Sequence, residues 1–157
     1  MTKQRSDPAA HASHPNPRGL PDLEKLGAFH KALHMQFEEI GPNRVVASME
    51  LGPDQHTPWG VVHGGVYTAA VETAASLGAS AAVLDRGQFA VGVNNNTDFL
   101  RLIVTGRVRV AADPIQQGAT QQLWQVNITR ADNGKLVARG QVRLQNVPLP
   151  ERHPDGA

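Results

Sequence analysis

An α+β domain in which an antiparallel sheet curls round one long central helix is predicted by three features of the 157-residue sequence. Residues 64–84 form one extended helical stretch that is apolar nearly all round, rich in small side chains and without a broad polar face, as a buried helix is. The rest of the core reads as short strands with apolar and polar residues in alternation. Two turn signals, Gly41-Pro42-Asn43 and Asp132-Asn133-Gly134, join such strands into hairpins.

The ends are treated as tails. Residues 1–21 carry Pro8, Pro15 and Pro17 and few large apolar side chains, and 148–157 are similar. Such segments cannot bury enough surface to offset their ordering entropy. One domain over 22–147 remains, without internal repeats. It opens with Pro21-Asp22, a helix start, followed by Leu23, Leu26, Phe29 and Leu33 at helical spacing. Met35 to Ile40 and Val45 to Leu51 flank the first turn as strands. After the long helix, Phe89, Val91 and Val93 alternate, as do Val104, Val108 and Val110 against Thr105, Arg107 and Arg109. Trp124, Val126 and Ile128 precede the second turn, and Val142 and Leu144 follow it. Two strands before the helix and three or four after it give a sheet of five or six.

Composition narrows the function. Fifteen Lys and Arg against fourteen Asp and Glu leave a formal charge of +1, without the basic excess of a nucleic-acid binder. The absence of cysteine excludes disulfides, a thiolate nucleophile and a cysteine zinc site. No charged-then-apolar leader and no membrane-length apolar run are present, so the expectation is a soluble, cytoplasmic domain without membrane contact. No phosphate-binding glycine motif occurs. His30 and His34 are spaced for a shared metal but lack a third ligand, and read as surface histidines.

Glu72 stands out as the one charged residue between Asp54 and Asp85. It lies mid-helix among alanines, where an unpaired carboxylate is costly to bury. Thr68, Glu72, Ser76 and Ser80 recur every four residues and form one polar stripe. The stripe either faces solvent or a subunit interface, or it is catalytic. At the helix entrance, His63-Gly64-Gly65 places two glycines where first-turn N–H groups point outward and can hold an oxyanion or a polarised carbonyl oxygen. Eight residues separate Gly64 from Glu72, about 12 Å along the axis at roughly 1.5 Å per residue. Both groups can act on one carbonyl only if they come from different chains, so a catalytic role predicts a dimer with antiparallel helices.

The run His56-Thr57-Pro58-Trp59-Gly60-Val61-Val62-His63-Gly64-Gly65, followed by Glu72, resembles the hotdog-fold acyl-CoA thioesterases. The subgroup it is similar to comprises the phenylacetic-acid-degradation and glutamate-type 4-hydroxybenzoyl-CoA enzymes. Asn94 to Arg101 and Gly106 extend the resemblance, which covers roughly 35–146. It implies a hotdog fold, a homodimer or homotetramer, and hydrolysis of an acyl-CoA thioester with neither metal nor other cofactor. By the same resemblance Glu72 is the nucleophile or general base, Gly64 N–H of the partner polarises the carbonyl, and His63 orients that region. Thr57, Gly65, Ser76, Asn94, Asn96 and Arg101 are expected to contact substrate. Gly118, Ala119 and Thr120 are expected to meet the phosphorylated end of the coenzyme. Two positions depart from the pattern: Thr57 stands where glutamine is frequent, and Leu102 where proline follows the arginine. The alternative function is a non-catalytic acyl-CoA sensor or carrier. A hotdog dehydratase needs a histidine–acid pair that is not seen.

Overall fold

The structure, a computed structural model, describes residues 19–25 and 27–150. The tails expected over 1–21 and 148–157 fall largely outside the described residues. Six antiparallel strands form one sheet, β1 (Met35–Gly41), β2 (Arg44–Leu51), β3 (Gln88–Phe99), β4 (Gly106–Gln117), β5 (Gln121–Arg130) and β6 (Leu136–Pro148). Their order across the sheet is β1-β2-β4-β5-β6-β3. The expected turn between β1 and β2 is a two-residue loop, since Gly41 pairs with Arg44.

Helix α1 is confined to Ala28–Ala32, whereas α2 spans Gly64–Ala81 and touches all six strands. This is the sheet curled round a central helix expected from the apolar run, and the hotdog fold that the family resemblance implies. The small side chains let the sheet come close. A Cβ on Gly78 would lie 2.5 Å from the Trp124 ring, and one on Gly140 would lie 2.5 Å from Val71. Trp124, Val126, Ile128, Val142 and Leu144 are fully buried against Val71, Ala74, Ala75 and Ala79.

Three local expectations are corrected. The opening helix is broken into a 3-10 turn at Leu23–Lys25 and the five residues of α1, with Gly27 as the extended N-cap between them. Its apolar positions divide as well: Leu33 is buried, Phe29 is 65% exposed, and Leu26 lies outside the described residues. The long helix ends three residues early, because the chain enters a 3-10 turn at Leu84–Arg86 that closes on left-handed Gly87 (φ 66°). In β3 the apolar alternation of Phe89, Val91 and Val93 is not the inward row. Ala90 and Gly92 face α2; a bulge between Gly92 and Asn94 then shifts the phase, so Asn95, Thr97 and Phe99 face inward beyond it.

Candidate active site

Glu72 emerges half-buried on the flank of α2, beside β3. Its carboxylate lies against the backbone of β3 at Gly92, where a Cβ would sit 2.0 Å from Oε1. Asn95 Nδ2 donates to Glu72 Oε2 at 3.0 Å and to the Thr68 carbonyl at 3.2 Å. Thr97 Oγ1 donates to Asn95 Oδ1 at 2.7 Å, which orients the amide with its N–H groups toward the carboxylate. Ser76 Oγ, one turn on, makes a long contact of 3.4 Å with Oε1. The carboxylate is therefore fixed in direction by neutral donors, and no cation pairs with it among the described residues.

The polar stripe faces a groove along α2. Glu72 is at its centre, bordering an open bay of about 520 Å³ that also touches Gly65, Thr68 and Asn95. Toward the helix start the bay adjoins a hollow of about 370 Å³ bordered by His56, His63 and Gly65. In the other direction Glu72 and Thr73 also line a narrower apolar cavity of about 430 Å³. Phe29 and His30, on α1, overhang the groove.

The helix entrance is more selective than the two glycines suggest. His63 is the N-cap, and its Nδ1 accepts the Gly65 N–H at 2.8 Å. The Val66 N–H is taken by the His63 carbonyl at 3.0 Å. The Gly64 N–H has no acceptor among the described residues, so one backbone donor stays open at the positive end of the helix. Thr57 shapes the loop just before, with its Oγ1 accepting the Trp59 N–H at 3.3 Å and its carbonyl the Gly60 N–H at 3.0 Å. His56 Nε2 lies 2.6 Å from the Val104 carbonyl and ties this loop to the one after β3.

Of the expected contact residues, Glu72 and Ser76 come together, and His63, Gly64, Gly65 and Thr57 gather two turns away. Asn94 and Asn96 do not join Glu72. The bulge puts them on the exposed outer face of the sheet, beside Arg143 and Gln141 of β6, and gives Asn95 the inward place. Arg101 is exposed, with Nη1 donating to the Leu136 carbonyl. Gly118, Ala119 and Thr120 form the β4–β5 turn near the C-terminal end of α2. Asn146 holds that turn, donating from Nδ2 to the carbonyls of Gly118 (3.2 Å) and Ala119 (3.1 Å) and from its N–H to Thr120 (2.8 Å). Gln122 links Asn146 Oδ1 to the Ala79 carbonyl of α2.

Gly92 and the Asn146–Gln122 pair were not singled out from the sequence. A glycine inside a strand pattern was the available signal for the first, because it marks a bulge or a close approach. Nothing local marks the second pair, which is a tertiary contact.

Tyr67 lies one turn into α2, with its ring against Phe99 at a centroid distance of 6.1 Å. Its hydroxyl is buried without a partner among the described residues. Burial pushes the phenol up to about 12, against the opposing pull of Arg130. The hydroxyl thus stays protonated at neutral pH. Exposed Asp132 is held below the usual carboxylate range by its hydrogen bond from Arg130. The described residues contain no cluster of three or more histidines or acids that could hold a metal, and no helix long and apolar enough to cross a membrane.

Sequence and structure comparisons bear on the family and the fold. The model of the family described as the thioesterase superfamily matches residues 60–137. A Mycobacterium tuberculosis protein named as an esterase is 45% identical over 135 residues, 85% of this chain and 96% of its own length. The 1,4-dihydroxy-2-naphthoyl-CoA hydrolase of Escherichia coli is 35% identical over 113 residues, covering 68% of this chain and 81% of that one. Among solved structures, a thioesterase of Haemophilus influenzae superposes with a TM-score of 0.74 at 30% identity, covering 88% of this chain and 99% of the other.

Proposed function

Given that the chain belongs to the thioesterase superfamily, we propose that it hydrolyses an acyl-CoA thioester to the free acid and coenzyme A, with Glu72 as the reacting carboxylate. The subgroup resemblance, to the phenylacetic-acid-degradation and glutamate-type 4-hydroxybenzoyl-CoA enzymes, belongs to the same proposal for the reacting carboxylate and does not extend to the acyl group. The observation that carries it is the Glu72 carboxylate itself: unpaired by any cation among the described residues, oriented by Asn95, and presented to an open bay.

Two routes use this placement. As a nucleophile, a Glu72 oxygen attacks the thioester carbon, the C–S bond breaks, and coenzyme A leaves as a thiolate that takes up a proton. Water then cleaves the acyl–glutamyl anhydride and regenerates the carboxylate. As a general base, Glu72 removes a proton from water as that water attacks the same carbon; the C–S bond then breaks, the acid is released, and the departing coenzyme A thiolate takes up the proton held by Glu72. In both, negative charge develops on the carbonyl oxygen and needs a donor.

The Gly64 N–H suits that task, but in its own chain it lies about 12 Å along the axis from Glu72 at roughly 1.5 Å per residue. We assign it to the partner of a homodimer. β3 leaves one edge unpaired at the margin of the sheet and carries Gly92 and Asn95 beside Glu72 and Phe99 beside Gly64. Antiparallel pairing of two such edges sets one α2 against the other in opposite directions. The exposed apolar side chains of Val93, Phe99, Leu100 and Leu102 flank this edge and favour its burial.

The test is release of the coenzyme A thiol from a panel of acyl-CoAs by wild type and Glu72→Ala. Turnover that falls about a thousandfold or more in the variant supports the assignment. Near-normal rates in the variant remove Glu72 from the chemistry. An inert wild type that is stabilised against heat by acyl-CoA is instead a binding protein.

A further inference from the structure

We propose that the cavity leading from Glu72 toward the C-terminal end of α2 receives the acyl group, and that it selects acyl groups ending in plain hydrocarbon, with a far wall built from both ends of the described chain. The proposal takes from the preceding section only that the thioester end sits at Glu72.

The cavity, of about 430 Å³, follows the helix from Glu72 past Ser76 and Ser80 to Leu84. From Glu72 to Ser80 is about 12 Å at roughly 1.5 Å per residue. The hydroxyls of α2 along it each have a partner within the chain. Thr73 donates to the Ala69 carbonyl at 2.8 Å, Ser76 turns to Glu72, and Ser80 Oγ accepts the Ala90 N–H at 3.1 Å. Leu77 and Phe89 supply the sides. His30 belongs to the near end, since it borders the open bay together with Glu72 and Thr73.

The far end is bordered by Leu20, Leu84, Leu149 and Pro150. Contacts among the described residues help to hold that wall. The backbone of Gly19, left-handed at φ +100°, is seated so that a Cβ there would lie 3.6 Å from the Leu84 side chain. The Leu149 N–H donates to the Gly87 carbonyl at 3.0 Å, pinning the chain beyond β6 to the turn that ends α2. A hydroxyl or carboxyl on the tip of an acyl group would meet no polar side chain there among the described residues, and an unpaired buried polar group is costly. A hydrocarbon tip gains with each methylene buried, until it reaches the wall.

The test uses coenzyme A thioethers, which lack the carbonyl needed for hydrolysis. Affinities of the full-length protein for S-ethyl-, S-butyl-, S-hexyl-, S-octyl- and S-dodecyl-CoA should tighten roughly fourfold per methylene and then level off. S-(8-hydroxyoctyl)-CoA should bind about tenfold or more weakly than S-octyl-CoA. Leu84→Trp and Leu149→Trp, at positions that are not fully buried, should move the break to shorter chains while leaving S-ethyl-CoA unchanged. Affinity independent of length, a break that neither variant moves, or equal binding of the hydroxylated chain overturns the proposal. Thiol release from the matching thioesters separates the two readings. Absent hydrolysis with the expected thioether pattern sinks the catalytic assignment and leaves the cavity assignment standing. Hydrolysis without that pattern does the reverse.

Discussion

Replacing Gly92 by alanine tests the position of the Glu72 carboxylate without removing it. The new methyl would lie 2.0 Å from Oε1, where ordinary van der Waals contact begins at 3.4 Å. The carboxylate must retreat by about 1.4 Å, and in doing so it leaves the 3.0 Å hydrogen bond from Asn95. A misplacement of roughly 1 Å at a reacting group costs about a hundredfold, equivalent to about 2.7 kcal/mol of transition-state stabilisation. The fold should tolerate the change. Gly92 is exposed, and its backbone lies outside the left-handed region, so alanine brings no strain of its own. Unfolding free energy should change by no more than about 1 kcal/mol. The assay is thiol release beside thermal unfolding, with Glu72→Ala and the double variant in parallel. Because both changes act on one group, the double variant should be no slower than Glu72→Ala alone. Retention of activity within about threefold in Gly92→Ala, with activity lost in Glu72→Ala, would show that the carboxylate works from a different position and refute this reasoning.

Other perturbations separate orientation from packing. Asn95→Ala removes the side-chain donor to Glu72 Oε2 and should lower kcat about 10- to 100-fold, the range for a hydrogen bond to a charged group, with the melting temperature little changed. Gly78→Ala sets two effects against each other: alanine gains about 1 kcal/mol of helix propensity, but its methyl would lie 2.5 Å from the buried Trp124 ring. Overpacking of about 1–3 kcal/mol should win and appear as a lower melting temperature. Tyr67→Phe deletes a buried hydroxyl without a partner, so stability at pH 7 should be equal or higher by up to about 1 kcal/mol. In wild type the unfolded phenol ionises near 10 and the folded one near 12. That contribution is complete below pH 10 and is lost as pH rises to 12, roughly 3 kcal/mol in all. The slope should vanish in Tyr67→Phe, and phenolate absorbance reports directly on the chain's one tyrosine.

Periodicity and turn chemistry act locally, and they carry most of the fold. The alanine-rich run from Gly64 has too little polar surface to lie on a protein exterior, so a wrapping sheet follows from it. The β1–β2 loop and the turn before β6 follow from their glycine, proline and asparagine residues. Glu72 is visible for the same reason, as a lone charge in an apolar helix, and the spacing from Gly64 already separates the two groups by too much for one chain.

Tertiary contact decides the rest. The inward row of β3 cannot be read from alternation, because one bulged residue reverses the phase and exchanges Asn94 and Asn96 for Asn95. Gly92 matters only because a helix carboxylate twenty positions earlier rests on it. The opening helix breaks at Gly27 although its leucine spacing is continuous. The far wall of the apolar cavity joins Leu20 to Leu149, residues from opposite ends of the sequence. Such contacts depend on how the sheet curls and where α2 settles within it. That is a property of the packed whole, and no window of neighbouring residues contains it.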